Sequence, residues 1–407
     1  MHHGLYDSFE ASPPLRRVSP LARLACFAYV VLVIYASFTP WTGWRDVGVG
    51  AFAYLTAPWP ERVTRFDVIV NVLGYMPVGL LVVLALYPQP RGIAAVLIAL
   101  AAGTLLSGSV EALQTFLPRR VSSNIDLAAN VTGTLAGAIL GAWRAQALID
   151  RGRLLELRYA WFARDASIPL ILLALWPIAQ IPAVSMLFAM GPTDASLLDW
   201  AHERGLTWLP ARGAWTPAEF IVAEAAVTTA AVLAVGLTAA ASMQPRSPRA
   251  RLVLAMIGVA LFGKTLAYGV RFGGEHVFAW MTPGAIGGLV IGVLTAVVAS
   301  WGPPRAVARL ALLATLGLIV AVGLIPENPY FAHWQSQWRT GRLAHFNALG
   351  EWVAFAWPFA AMSWLVTLEV LGWPGRRSGA GRPRRALMMA RADSASISPP
   401  TRPRNVT

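Results

Sequence analysis

Ten runs of roughly 20 apolar residues, parted by short segments that carry arginine, leave this chain of 407 residues little choice of solvent. The hydrocarbon core of a bilayer is about 30 Å thick, which about 20 helical residues cross, and only elements that satisfy their own backbone hydrogen bonds can lie in it. The runs fall at 21–39, 66–87, 92–116, 124–148, 166–190, 217–243, 250–271, 280–301, 305–326 and 345–371. Between them stand Pro40, Pro88 with Pro90, Pro118, Pro210, Pro245 with Pro248, and Pro303-Pro304, where a helix ends without losing an internal hydrogen bond. Charge is scarce, at 13% of residues against about 25% in a soluble domain, while 56% are hydrophobic. The expected fold class is all-α, a polytopic transmembrane helical bundle of about ten helices.

Arginine orients the bundle, because cytoplasmic loops hold the excess of positive charge. Counted by alternate loops, one side holds 22 arginines and the other ten. The richer side includes the N-terminal segment and the tail, so both termini are expected in the cytoplasm. The same spread explains the net charge of +13 without nucleic acid, since no single surface collects it. Cys26 is the sole cysteine, which excludes a disulfide framework and a thiolate metal site. The first run has no cleavage pattern close behind it and reads as a retained helix. Neither a cofactor nor a metal is expected.

The chain divides into a cytoplasmic segment 1–20, a four-helix transmembrane domain 21–148, a second four-helix unit 166–301, two further helices over 305–372, and a basic tail 373–407 with too little apolar content to fold alone. Three longer outer loops, 40–65, 191–216 and 327–344, carry eight tryptophans and are expected to include short helices on the outer surface. Gly133, Gly137 and Gly141 match Gly284, Gly288 and Gly292 at a constant offset of 151, which suggests that the second unit is a degenerate repeat of the first. The alternative is that small residues four apart merely recur where membrane helices pack tightly.

Polar residues concentrate near the outer helix ends. Asp67 and Asn71 open the second run, Glu111 and Gln114 close the third, Arg119 and Arg120 form the turn, and Asp126 and Asn130 open the fourth. Within each helix the members are three or four apart and share a face. Glu111 lies roughly 9 Å below the helix end near Leu117, at a depth Asn71 and Asn130 also reach. An ionisable side chain at membrane depth costs about 2.5–3.5 kcal/mol on insertion scales, so a shared polar pocket is the economical arrangement. Such a set suits binding a polar, partly anionic headgroup, with Arg119 and Arg120 for phosphate or carboxylate and the amides for neutral hydrogen bonds. Glu111 as a general base and simple helix-to-helix pairing remain the alternatives.

The runs Asp67-Val-Ile-Val-Asn71-Val-Leu-Gly74-Tyr-Met-Pro77-Val-Gly79, Glu111-Ala-Leu-Gln114-Thr-Phe-Leu-Pro118-Arg119 and Asp126-Leu-Ala-Ala-Asn130-Val-Thr-Gly133 resemble the VanZ-like family of bacterial membrane proteins, over about residues 21–145. The resemblance implies a protein of the bacterial cytoplasmic membrane and cell envelope, in a family named for a member associated with teicoplanin resistance. It implies membrane lipid as a partner, with a lipid-linked envelope precursor or a lipophilic glycopeptide as the ligand to consider, and it brings no settled reaction. A membrane enzyme acting on a lipid phosphate, a lipid transporter or flippase, and a scaffold of an envelope-synthesis complex are the rival readings.

The second half lacks counterparts of Glu111 and Asp126 but is polar at the same end. Its candidates are Glu224, Lys264, Arg271, His276, His345 and Asn347. Lys264 is the only lysine and stands inside an apolar run, where it needs a partner; Glu224 is the expected one. His276 and His345 read as interfacial histidines rather than metal ligands.

Overall fold

The side chains that start the helices are legible in the chain itself. Ser19, Thr64 and Ser123 each sit just before a helix and accept a backbone N–H from its first turn. Thr216 forms a reciprocal capping box with Glu219, and Thr282 accepts from Ala285. In this computed structural model the described residues are 18–371, except 40, 60–63, 119, 151, 183, 185, 194–195, 209–210, 212–213 and 327–343; for 344–346 and 371 only the backbone is described. Among them there are twelve α-helices and no named strand: α1 (Pro20–Phe38), α2 (Arg65–Leu86), α3 (Ile93–Gln114), α4 (Asn124–Ile149), α5 (Arg153–Trp161), α6 (Ser167–Leu175), α7 (Ser196–Glu203), α8 (Pro217–Ser242), α9 (Arg249–Phe272), α10 (Pro283–Ala299), α11 (Pro304–Leu324) and α12 (Ala344–Leu371).

Eight of these, α1–α4, α8, α9, α11 and α12, are long and apolar enough to cross a membrane. The remaining two expected spans are shorter. The eighth run forms α10, with 17 residues. The fifth run, expected as one helix over 166–190, is broken: α6 ends at Leu175, a 3-10 turn covers Ile178–Gln180, and the described residues from there to Met190 are irregular and mostly buried. Pro177 and Pro182 are the cause, since neither can donate to the helix ladder. The loop 191–216 contains the short helix α7, which packs on α11, and α5 is a further short helix between the fourth and fifth runs. The segment 1–17, the loop 327–343 with Trp334 and Trp338, and the tail from Gly372 lie outside the described residues.

Packing follows the glycines. On α4, a Cβ at Gly133, Gly137 or Gly141 would meet the backbone of Val72, Met76 or Leu80 on α2, and one at Gly79 would lie 1.9 Å from the Thr134 carbonyl oxygen. Contacts advance together along both helices, so α2 and α4 run parallel with their backbones touching. On α10, Gly284, Gly288 and Gly292 meet Ile221, Ala225 and Thr229 of α8 in the same parallel sense. The two triads at one sequence offset therefore make the same kind of helix contact in the two halves. In the second half α8 also packs on α11 and is buried along most of its length.

α1 joins the halves. It packs on α2, yet its Leu32 belongs to the core formed with Leu172, Trp176 and Trp357, and its Tyr35 stacks on Trp352 of α12 at 5.0 Å. The C-terminal ends of α1, α3 and α9 and the N-terminal ends of α2, α4 and α12 consequently share one end of the bundle.

Candidate functional site

At that end the residues of the three motifs on α2, α3 and α4 meet. Asn71, in the second turn of α2, donates through Nδ2 to Asp126 Oδ1 of α4 at 2.6 Å. Glu111, 3% exposed, accepts at Oε2 from the Ser123 backbone N–H at 2.9 Å, while the Ser122 hydroxyl donates to the Glu111 carbonyl at 2.6 Å. Ser123 in turn caps α4, so the carboxylate of α3 and the start of α4 are tied through one residue. Asp67 is exposed and closes the first turn of α2 with Thr64, within electrostatic reach of Asp126.

Two of the candidates reach α1. Gln114 Nε2 donates to the Ser37 carbonyl at 2.8 Å, and Arg120 donates to the Ala36 carbonyl at 3.1 Å. Burial pushes the Arg120 guanidinium below its usual range, and the neighbouring carboxylates Glu111 and Asp126 oppose that shift by favouring its charge. Arg119 lies outside the described residues.

Deeper, Asn130 Nδ2 donates to Ser107 Oγ at 3.0 Å, joining α4 to α3. Asn130 Oδ1 and the Tyr75 hydroxyl are buried here without a hydrogen-bond partner among the described residues; Tyr75 lies beside Ser107 outside hydrogen-bond geometry. From above, the loop before α2 folds over the site. Tyr54, 5% exposed, donates to the Gly108 carbonyl at 3.1 Å, and its hydroxyl is pushed up by burial and by Glu111. Asn124 and the Arg45 backbone N–H hold the same loop, bonding Ala57 O at 2.8 Å and Phe116 O at 2.9 Å.

Tyr54, Tyr75, Ser107, Ser122 and Ser123 were missed from sequence. Only Ser123 carried a signal, as the N-cap three residues before Asp126; the others become recognisable once the loop and helix faces are placed. The described site thus holds three carboxylates, three carboxamides, several hydroxyls and one guanidinium. No group of three or more metal-ligating side chains occurs among the described residues.

The second-half candidates gather at the same end, differently paired from expectation. Lys264, 1% exposed, donates to the Pro182 carbonyl at 2.7 Å and lies 5.5 Å from the Tyr268 ring. Its expected partner Glu224 instead lies against the first turn of α10, at Thr282, Gly284 and Ala285. The correction has two physical causes: the proline break leaves a carbonyl for the lysine, and a helix N-terminus attracts the carboxylate. Arg271 donates to Asn347 Oδ1, and Asn347 Nδ2 donates to Glu351 Oε1 at 2.5 Å. His276 sits in the turn after α9, 3.8 Å from Glu275, while the His345 side chain lies outside the described residues.

No curated protein and no solved structure matches this chain. Residues 23–144, from α1 to the last turns of α4, match the family model described as VanZ/LLP1, and this membrane protein therefore carries a VanZ-like segment that contains the whole first polar site.

Proposed function

We propose that the VanZ-like segment forms a polar pocket on the outer face of a bacterial cytoplasmic membrane, with both termini in the cytoplasm, and that it binds the headgroup of a lipid-linked envelope precursor or a lipophilic glycopeptide of the teicoplanin type. The observation that carries the reading is the convergence of Glu111, Asp126, Asn71, Asn130 and Ser107 beneath Tyr54, with two buried polar atoms lacking described partners. A buried polar atom without a partner is costly, and a ligand hydroxyl or amide would satisfy it. Among the described residues carboxylates and carboxamides outnumber the one guanidinium, which supports a group rich in hydroxyl, amide or ammonium donors over a bare phosphate. Both the precursor class and glycopeptides present such groups.

Binding is favoured over transport because, among the described residues, the opposite end offers no matching cluster of buried carboxylates and carboxamides: Glu369 there is ion-paired with Arg309 at 3.1 Å. It is favoured over catalysis because Glu111 Oε2 is occupied by a backbone N–H. The test is binding of teicoplanin and of a polyprenyl-diphosphate-linked sugar to the full chain in nanodiscs. Asp126→Asn and Glu111→Gln, which keep shape and remove charge, are each expected to weaken one of these ligands by about tenfold, the worth of one charge-assisted hydrogen bond. Undiminished binding in Asp67→Asn, Glu111→Gln, Arg120→Gln and Asp126→Asn alike would sink the proposal, and ligand turnover by the wild type would replace it with the enzyme reading.

A further inference from the structure

Just beyond the end of α1 the chain gathers aromatic rings. Between ring centroids, Trp41 lies 6.0 Å from Tyr35 and 5.4 Å from Phe38, Trp44 lies 5.5 Å from Phe38 and 6.4 Å from Trp41, and Tyr35 stacks on Trp352 of α12 at 5.0 Å. Phe38 is buried, whereas Trp41 and Trp44 are 43% and 41% exposed. The cluster adjoins the first pocket. The Ser37 and Ala36 carbonyls receive Gln114 and Arg120, and the Arg45 backbone N–H, next to Trp44, donates to the Phe116 carbonyl just after α3.

Two features set these rings apart from an interfacial belt. A belt tryptophan turns its indole N–H toward headgroups and water. Here Trp41 Nε1 donates to the Tyr35 carbonyl at 3.2 Å and Trp44 Nε1 to the Trp41 carbonyl at 2.9 Å, so both N–H groups are engaged within the turn and each indole offers outward its carbon framework. Trp41 also holds a φ of 61°, a left-handed conformation that a bulky side chain rarely adopts and that persists only where its surroundings fix it.

A carboxylate borders the rings. Glu351, exposed and preceding Trp352, lies within electrostatic reach of Tyr35; one of its oxygens accepts from Asn347, and a carboxylate has about four acceptor positions. Fixed aromatic faces beside a carboxylate match a pyranose ring, whose C–H face is apolar and weakly positive and whose rim carries hydroxyl donors. An acyl chain would have no use for the carboxylate, and a phosphate would be repelled by it.

We propose that Tyr35, Trp41 and Trp44, with Glu351 at their border, form a saccharide subsite that stacks one sugar ring of the ligand held by the first pocket. Such a subsite presupposes the binding reading given above, and it makes the sugar, rather than the lipid or the peptide, the part recognised at the end of α1.

The experiment compares two pairs of ligands on the full chain in nanodiscs: teicoplanin with its sugar-free aglycone, and a polyprenyl-diphosphate-linked sugar with the bare polyprenyl diphosphate. The wild type is expected to prefer the glycosylated member of at least one pair by about tenfold. Trp41→Leu and Trp44→Leu, which keep apolar bulk and remove the aromatic face, are each expected to lower that preference about fivefold, and Trp44→Phe is expected to retain most of it. Trp59→Leu, on the same loop but outside the cluster, is the control and is expected to keep the preference in full. Where Trp41→Leu does not fold, Trp44→Leu and Trp44→Phe carry the comparison. A preference undiminished in folded Trp44→Leu overturns the subsite. Equal binding of both members of each pair by the wild type also overturns it and leaves the first pocket standing, whereas binding of no member of either pair overturns both.

Discussion

Gly137→Ala is expected to cost about 2 kcal/mol or more, while Gly74→Ala, on the neighbouring helix of the same unit, is expected to be tolerated. A methyl group at position 137 would stand 1.8 Å from the Met76 carbonyl oxygen and 2.7 Å from its carbon, with the Leu80 nitrogen at 3.0 Å. All three atoms belong to backbone, so no rotamer change relieves the contact and α2 must move away from α4 as a unit. Overpacking in a core costs about 1–3 kcal/mol when side chains can adjust, and here they cannot. A Cβ at Gly74 meets nothing within 4 Å. The separation of α2 and α4 would also stretch the Asn71–Asp126 bond, so the same variant should lose ligand as well as stability. Thermal unfolding in mild detergent, with recovery of monodisperse protein as a second reading, checks it. Equal stability of the two alanine variants would refute backbone contact between these helices.

What could be read in advance depended on whether the signal was local or long-range. The glycine triads were visible because a small residue every four positions is a helix-face pattern, and the structure puts both triads at backbone contacts. Convergence of Asp67, Asn71, Glu111 and Asp126 followed from helix periodicity and the alternating direction of successive spans. The break after Leu175 was obscured for an opposite reason: hydropathy over 166–190 is uniformly apolar and hides Pro177 and Pro182, although each proline announces a missing donor. The Lys264–Pro182 contact depends on that break, so an error in the fifth span became an error in pairing the lysine. Tyr54 lies on a loop whose path no periodicity constrains, and Arg271 meets Asn347 across 76 positions of chain.

Trp357→Ala is expected to destabilise the second half by about 3–5 kcal/mol, and Trp357→Phe by distinctly less. The indole is 2% exposed, and its N–H donates to the Leu172 carbonyl at 2.7 Å, which fastens α12 to the last turn of α6. Alanine removes the ring and the bond together; phenylalanine fills most of the volume and forfeits only the bond. The neighbouring residue makes this region sensitive. Pro358 cannot donate to the Ala354 carbonyl within α12, and the Gly191 backbone N–H donates to that carbonyl instead, at 3.0 Å and from a positive φ of 108°. The broken fifth span is thus held to α12 at both its ends, by Trp357 on Leu172 and by Gly191 on Ala354. Loosening Trp357 should therefore shift the whole irregular segment, including the Pro182 carbonyl that receives Lys264, and it should shift the α12 turn that presents Asn347 to Arg271. The expected signature is a lower unfolding temperature in Trp357→Ala, largely restored in Trp357→Phe. Equal unfolding temperatures for Trp357→Ala and the wild type would refute the fastening of α12 to the last turn of α6.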